Sequence, residues 1–90
     1  MQISKRNGTT EPYVADKIKR AMGAAFSSVG THLADNEADR LVAGIERAMS
    51  EAAAQNGGAV AVEDVQDLVE RALMEANHYQ ELKSYILYRE

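Results

Sequence analysis

Cysteine and tryptophan are missing from the 90 residues, and proline and phenylalanine occur once each. Without cysteine, disulfides, thiolate zinc sites and thiol catalysis are excluded within these residues. That usage fits a reducing, cytoplasmic setting. No apolar run approaches the roughly 20 residues that cross a bilayer, and no signal peptide opens the chain, so a membrane partner is not expected. Catalytic constellations are lacking too. His32 and His78 fall at a predicted loop and a helix end with no nucleophile nearby, and no histidine or carboxylate spacing suggests a metal site. Neither glycine-rich phosphate loop of the α/β nucleotide-binding folds occurs. Covalent chemistry is therefore not expected of this chain.

What is present bounds the rest. Apolar residues make up 46% of the sequence, enough for one small folded domain. The net charge of −4 is unevenly spread: residues 1–20 carry +3 and residues 21–90 carry −7. A basic end on an acidic body suits a local anion site better than a broad polyanion-binding face, so direct nucleic-acid binding is disfavoured.

Asn7-Gly8 is a strong turn signal, because both residue types accept φ > 0 at low cost. Strands near 2–5 and 9–12 are predicted beside it as a two-residue hairpin, with Pro12 at an edge or strand end. Val14, Ile18, Met22, Ala25, Phe26 and Val29 then recur at helical spacing, and Gly30 ends that helix. Asp35 or Asn36 is expected to cap a second helix with an apolar stripe of Leu41, Val42, Ile45, Ala48, Met49 and Ala52. Asn56-Gly57-Gly58 stops it. Residues 59–62 read as a third strand. Glu63 and Asp64 suit the first turn of a third helix, buried through Val65, Leu68, Val69, Ala72 and Leu73 and broken at Asn77. A last helix starts near His78. It shows no stop signal through Arg89-Glu90, which suggests a piece of a longer protein. Met22, Met49 and Met74, with Tyr79, Tyr85 and Tyr88, are expected in the core or at an interface. The order predicts an α+β fold, four helices capped by a small three-stranded sheet.

Lys5 and Arg6 precede the turn, and Lys17 lies one turn into the first helix. The hairpin would gather these cations around a glycine turn with free backbone N–H groups, chemistry that suits a phosphate chain. The alternative is a solvated, charged hairpin that prevents edge pairing.

The motifs in order are Lys5-Arg6-Asn7-Gly8, Glu11-Pro12-Tyr13, Lys17-Ile18, the run Val62-Glu63-Asp64-Val65-Gln66-Asp67-Leu68-Val69-Glu70, Leu73-Met74, and Tyr85-Ile86-Leu87-Tyr88-Arg89. Together, over essentially the whole chain, they resemble the ATP-cone domain, a nucleotide-sensing module of ribonucleotide reductase large subunits. The resemblance implies one domain over residues 1–90 that binds ATP or dATP with magnesium between sheet and bundle. It also implies allosteric partnership with a catalytic domain of the same chain and with other reductase subunits. Carried over by position, Lys5 and Arg6 with the Asn7-Gly8 turn would meet phosphates, and Glu11 would accept from the adenine amino group. Lys17 would reach ribose or phosphate. Tyr13, Ile18 and Val65 would wall the base, with Val62 beside them, and Gln66 would face the phosphates. Val14 stands where many relatives carry Asp or Asn and can neither bond the base nor cap the helix. Two further readings stay open: the cone of a reductase-gene repressor, and a cone that serves only as an interaction surface.

Overall fold

The computed structural model describes residues 1–89, so Glu90 and the expectation placed on it lie outside the described residues. The elements are β1 (Gln2–Ser4), β2 (Thr10–Pro12), α1 (Ala15–Ser28), α2 (Asp35–Ala54), β3 (Ala59–Ala61), α3 (Val62–Glu75) and α4 (Tyr79–Arg89). The fold is α+β, four helices and a three-stranded sheet in the order β2-β1-β3. β1 pairs antiparallel with β2 and parallel with β3, with Ile3 opposite both Glu11 and Val60. The first strand is therefore central and joins the chain's start to its middle.

The hairpin differs from the two-residue form predicted. Lys5 N–H donates to Thr9 O at 2.8 Å and Gly8 N–H donates to Lys5 O at 3.0 Å, which leaves Arg6, Asn7 and Gly8 as a three-residue loop. Gly8 takes φ +86°, the left-handed residue that closes such loops and that a side chain would strain. Asn7 Oδ1 accepts from Thr9 N–H at 3.1 Å and from the Thr9 hydroxyl at 2.6 Å. The Gly8 and Thr9 amides are thus engaged within the turn, which leaves the Arg6 and Asn7 amides without a hydrogen bond among the described residues.

Helix ends follow local chemistry with one correction. α2 is flanked by Ala34, which has no side chain to cap it, and Asp35 is already helical. Asp35 and Glu37 act instead through their charge on the first turn, where the helix dipole is positive. α1 likewise starts after Val14 with no side-chain cap, as an apolar residue there requires. α3 ends as predicted. Asn77 takes φ +64°, and His78 N–H reaches back to Leu73 O at 2.9 Å, which satisfies a last-turn carbonyl.

Each helix contributes one stripe to a shared core. Met22, Met49 and Leu73 are wholly buried, with Phe26, Ile45, Val60 and Val69 at 2% exposure or less. Side chains of this size contribute about 1.5–3 kcal/mol each on burial. Met74, expected to pack, is instead exposed, as are Tyr79 and Tyr88 on α4. α4 is the least amphipathic helix, since its aromatics are spread around its circumference, and only Tyr85 of the three tyrosines is buried.

The helices alternate in direction. The far end of the bundle gathers the end of α1, the start of α2, the end of α3 and the start of α4. There the Thr31 hydroxyl donates to the buried Glu81 carboxylate at 2.8 Å, and His78 Nε2 lies 2.8 Å from Glu37 Oε2. The His78 ring also meets Phe26 edge to face, with centroids 4.9 Å apart. No spacing in the sequence signals this histidine–carboxylate pair. No helix among the described residues is long and apolar enough to cross a membrane.

Candidate functional site

Between the sheet and the helices lies a crevice of about 200 Å³. Ile3 is its floor from β1. Glu11, Pro12 and Tyr13 come from β2 and the residue after it, and Val14, Lys17, Ile18 and Ala21 from the start of α1. α3 supplies Val62, Val65, Gln66 and Val69, and α4 closes the far wall with Tyr85 and Tyr88. The interior is mainly apolar because α1 and α3 turn their stripes inward here, while the polar groups sit at the mouth.

At that mouth the Glu11 carboxylate is held between two lysines. Lys5 Nζ lies 3.2 Å from Oε2 and Lys17 Nζ lies 3.5 Å from Oε1. The hydrogen bond from Lys5, opposed by desolvation and helped by the charge of Lys17, holds the Glu11 carboxyl below the usual carboxylate range. Lys5 and Lys17 are about half exposed, so these contacts are screened and readily exchanged. Arg6 departs from the predicted convergence. Its Nε meets Glu63 Oε1 at 2.5 Å, across the gap from the hairpin loop to the start of α3. Arg6, Asn7 and Gly8 do not line the crevice, and Lys5 reaches it through Glu11.

Two residues that line the crevice each carry a buried oxygen with no hydrogen bond of good geometry, and that of Tyr13 lies toward Glu46 on α2, outside the lining. Tyr13 Oη and Gln66 Oε1 are the buried side-chain polar atoms without a hydrogen bond among the described residues, and both residues line this one space. Burial first, and then the nearby Glu46 carboxylate, pushes the Tyr13 phenol well above its ordinary range.

Of the residues singled out in the sequence, Glu11, Tyr13, Lys17, Ile18, Val62, Val65 and Gln66 line the crevice. Val14, Tyr85 and Tyr88 line it too, where the sequence favoured a core or interface place for the two tyrosines over stacking on a base. Tyr88 also borders a neighbouring hollow of about 310 Å³ that shares Lys17 and Ala21 and adds Arg20. The signal for Tyr88 was its place in the closing motif, three residues past Tyr85 on the same helix side.

The arrangement suits a flat, partly apolar ligand with an anionic tail. At about 200 Å³ the crevice is smaller than ordinary ligand pockets of about 300–1,000 Å³, so it encloses only part of a drug-sized molecule. The remainder must pass the mouth, where the lysines stand.

Comparison with known proteins agrees with this geometry. The ATP cone domain family matches residues 1–90. The chain is 44% identical over 93 residues to the ribonucleoside-diphosphate reductase subunit alpha of Treponema pallidum (strain Nichols), covering 100% of this chain and 11% of that protein. It is 31% identical over 96 residues to the subunit of the same name from Chlamydia muridarum (strain MoPn / Nigg), covering 100% of this chain and 9% of that protein. The chain thus spans about a tenth of the length of the curated relatives it matches.

Proposed function

The chain belongs to the ATP-cone domain family, and from that premise we propose that it is the adenine-nucleotide sensor of a ribonucleotide reductase large subunit. ATP and dATP are its ligands, and its partners are the catalytic part of the same protein and other reductase subunits. The observation that carries this reading is Glu11 bracketed by Lys5 and Lys17 at the mouth of an apolar crevice.

Binding proceeds as an exchange of partners. The base enters the slot between Ile18, Val62 and Val65, beside Tyr13. Lys5 and Lys17 leave Glu11 for phosphate oxygens, where charge-assisted bonds are stronger than their exposed contacts to one carboxylate. Glu11, once released, accepts from the adenine amino group. Guanine has no donor at that position and leaves the carboxylate unpaired, so adenine is selected. Arg6 joins the phosphates by leaving Glu63, carried by the Asn7-Gly8 loop. Gln66 Oε1 finds a partner on the ligand or its water. Magnesium would be held by the nucleotide's phosphates, where it would neutralise part of their charge beside Lys5 and Lys17.

The ligand changes the parent enzyme only insofar as ATP and dATP favour different placements of this domain against its neighbours. Thermal melts with Mg-ATP, Mg-dATP and Mg-GTP test the proposal. At about 100 times Kd an adenine nucleotide adds about 2.7 kcal/mol, which raises Tm by on the order of 10 °C in a domain this small. GTP gives a much smaller shift. Equal shifts for all three nucleotides, or none at millimolar concentration, reject the reading.

A further inference from the structure

On the other side of α3 lies a second and larger hollow of about 450 Å³, between α2 and α3. Its floor is apolar and shallow because small residues stand where the two helices meet: Gly44 and Ala48 on α2, Ala72 on α3 and Ala76 just past its end, flanked by Leu41 and Leu68. Its rim holds Arg40, Arg47 and Arg71, which is half of the six arginines in the chain, against the single carboxylate of Glu75. None of these arginines makes an ion pair or a side-chain hydrogen bond among the described residues. Lys5, Arg6, Lys17, Lys19 and Arg89 all have carboxylate partners. Glu37, Glu51 and Glu75 stand three or four residues from these arginines, at helical pairing distance, yet take no part in such a pair. The Arg47 guanidinium instead lies back over bare Gly44, 3.7 Å from where a Cβ would stand.

From this we infer that the α2–α3 groove is a docking surface for an acidic amphipathic helix of a protein partner. Three features argue for that occupant. The charge is complementary, a local excess of unpaired guanidinium on a chain that is otherwise acidic. The floor is apolar, which a small hydrated anion would not use and an apolar helix face would. Arg40 and Arg47 are seven residues apart on one edge, so they stand roughly 10 Å apart along the groove, about two turns of an opposing helix. Arginine around a small apolar centre is also the composition that carries binding energy at protein interfaces.

The groove is separate from the crevice: the two share no lining residue, with Leu68, Arg71 and Ala72 of α3 in the one and Val65, Gln66 and Val69 in the other. The inference therefore stands or falls independently of nucleotide binding.

The test uses the 90-residue chain and a fluorescein-labelled synthetic peptide of about 14 residues, with leucine at i, i+3, i+4 and i+7 and glutamate on the flanks. Anisotropy should report binding. Replacing the peptide's glutamates by glutamine should weaken it about tenfold, and so should the combined variant Arg40→Gln, Arg47→Gln, Arg71→Gln. Amide NMR shifts should gather on Leu41, Gly44, Ala48, Leu68 and Ala72. These arginines are exposed, and a thermal melt checks that the variant folds; the glutamine peptide tests the charge term on the unaltered protein. The inference is overturned by no binding at millimolar peptide, by affinity indifferent to either charge change, or by shifts elsewhere. It is equally overturned if tripolyphosphate alone reproduces the groove shifts, or if sedimentation shows an arginine-dependent dimer that fills the groove with a second copy.

Discussion

At the far end of the bundle, the buried Glu81 carboxylate is held by the hydroxyl of exposed Thr31, and half-buried His78 by half-buried Glu37. At the sheet end, Lys5, Lys17 and Arg6 lean on carboxylates that are themselves part-exposed, and the buried Gln66 Oε1 makes no hydrogen bond among the described residues. The same chemical groups thus serve opposite purposes. At the far end, bonds that join residues of different helices or loops, one of them to the buried Glu81, tie the ends of four helices together. At the sheet end the partners are exposed and exchangeable, as the proposed ligand exchange requires. Stability and binding are separated along the length of one short bundle, and mutation can set the two ends against each other.

The largest effect should come from the core that both ends share. Leu73→Ala leaves a cavity at a wholly buried site and should cost about 2–5 kcal/mol in urea unfolding, with both ends lost in a single transition. Separate transitions for the tyrosine signal and the helical signal would break the idea of one cooperative unit.

Next in size is the sheet end. Lys17→Ala should weaken Mg-ATP binding about ten- to a hundredfold by calorimetry, since a charged hydrogen bond is lost. The ligand-free melting temperature should hardly move, because Lys17 is exposed. A large loss of ligand-free stability would put Lys17 with the structural end instead.

Thr31→Val should do the reverse, costing about 1–2 kcal/mol by leaving the buried Glu81 carboxylate short of a donor, with ATP affinity unchanged. The pH dependence sharpens this. The Thr31 hydrogen bond lowers the Glu81 pKa below its ordinary 4.5. A lowered carboxyl pKa contributes stability that is present above the unfolded value and lost as pH falls through the folded one. Wild type should therefore lose stability below about pH 4.5, and Thr31→Val should lose less over that window. Urea titrations at neutral and acid pH measure both slopes.

The smallest effect belongs to Tyr13→Phe. Removing a buried hydroxyl without a partner should leave stability within about 0.5 kcal/mol or raise it slightly, measured by thermal melting.

Much of this was legible in the sequence, for local reasons. Asn7-Gly8 announced a hairpin, and periodicity placed four helices and a third strand within a residue or two. The same periodicity named Ile18, Val65 and Leu73 as inward-facing. The length of the hairpin loop was not legible, because two- and three-residue closures both use Gly after Asn. Contacts between remote residues were also hidden. Arg6 with Glu63, Thr31 with Glu81 and His78 with Glu37 join positions that no spacing rule links. The arginines of α2 and α3 read as two solvated faces. A repeat shows which face of a helix is polar, but not that two polar faces converge on one groove.

The parallel pairing of Ile3 with Val60 makes the chain's beginning wait for its middle. During synthesis the first strand emerges without its central partner, and two helices must be made before Val60 arrives to complete the sheet. The site's floor is thus among the last pieces assembled, even though it is written first. A crevice built this way forms only once most of the chain is in place, and a product broken off before Val60 would lack the third strand and the α3 and α4 walls.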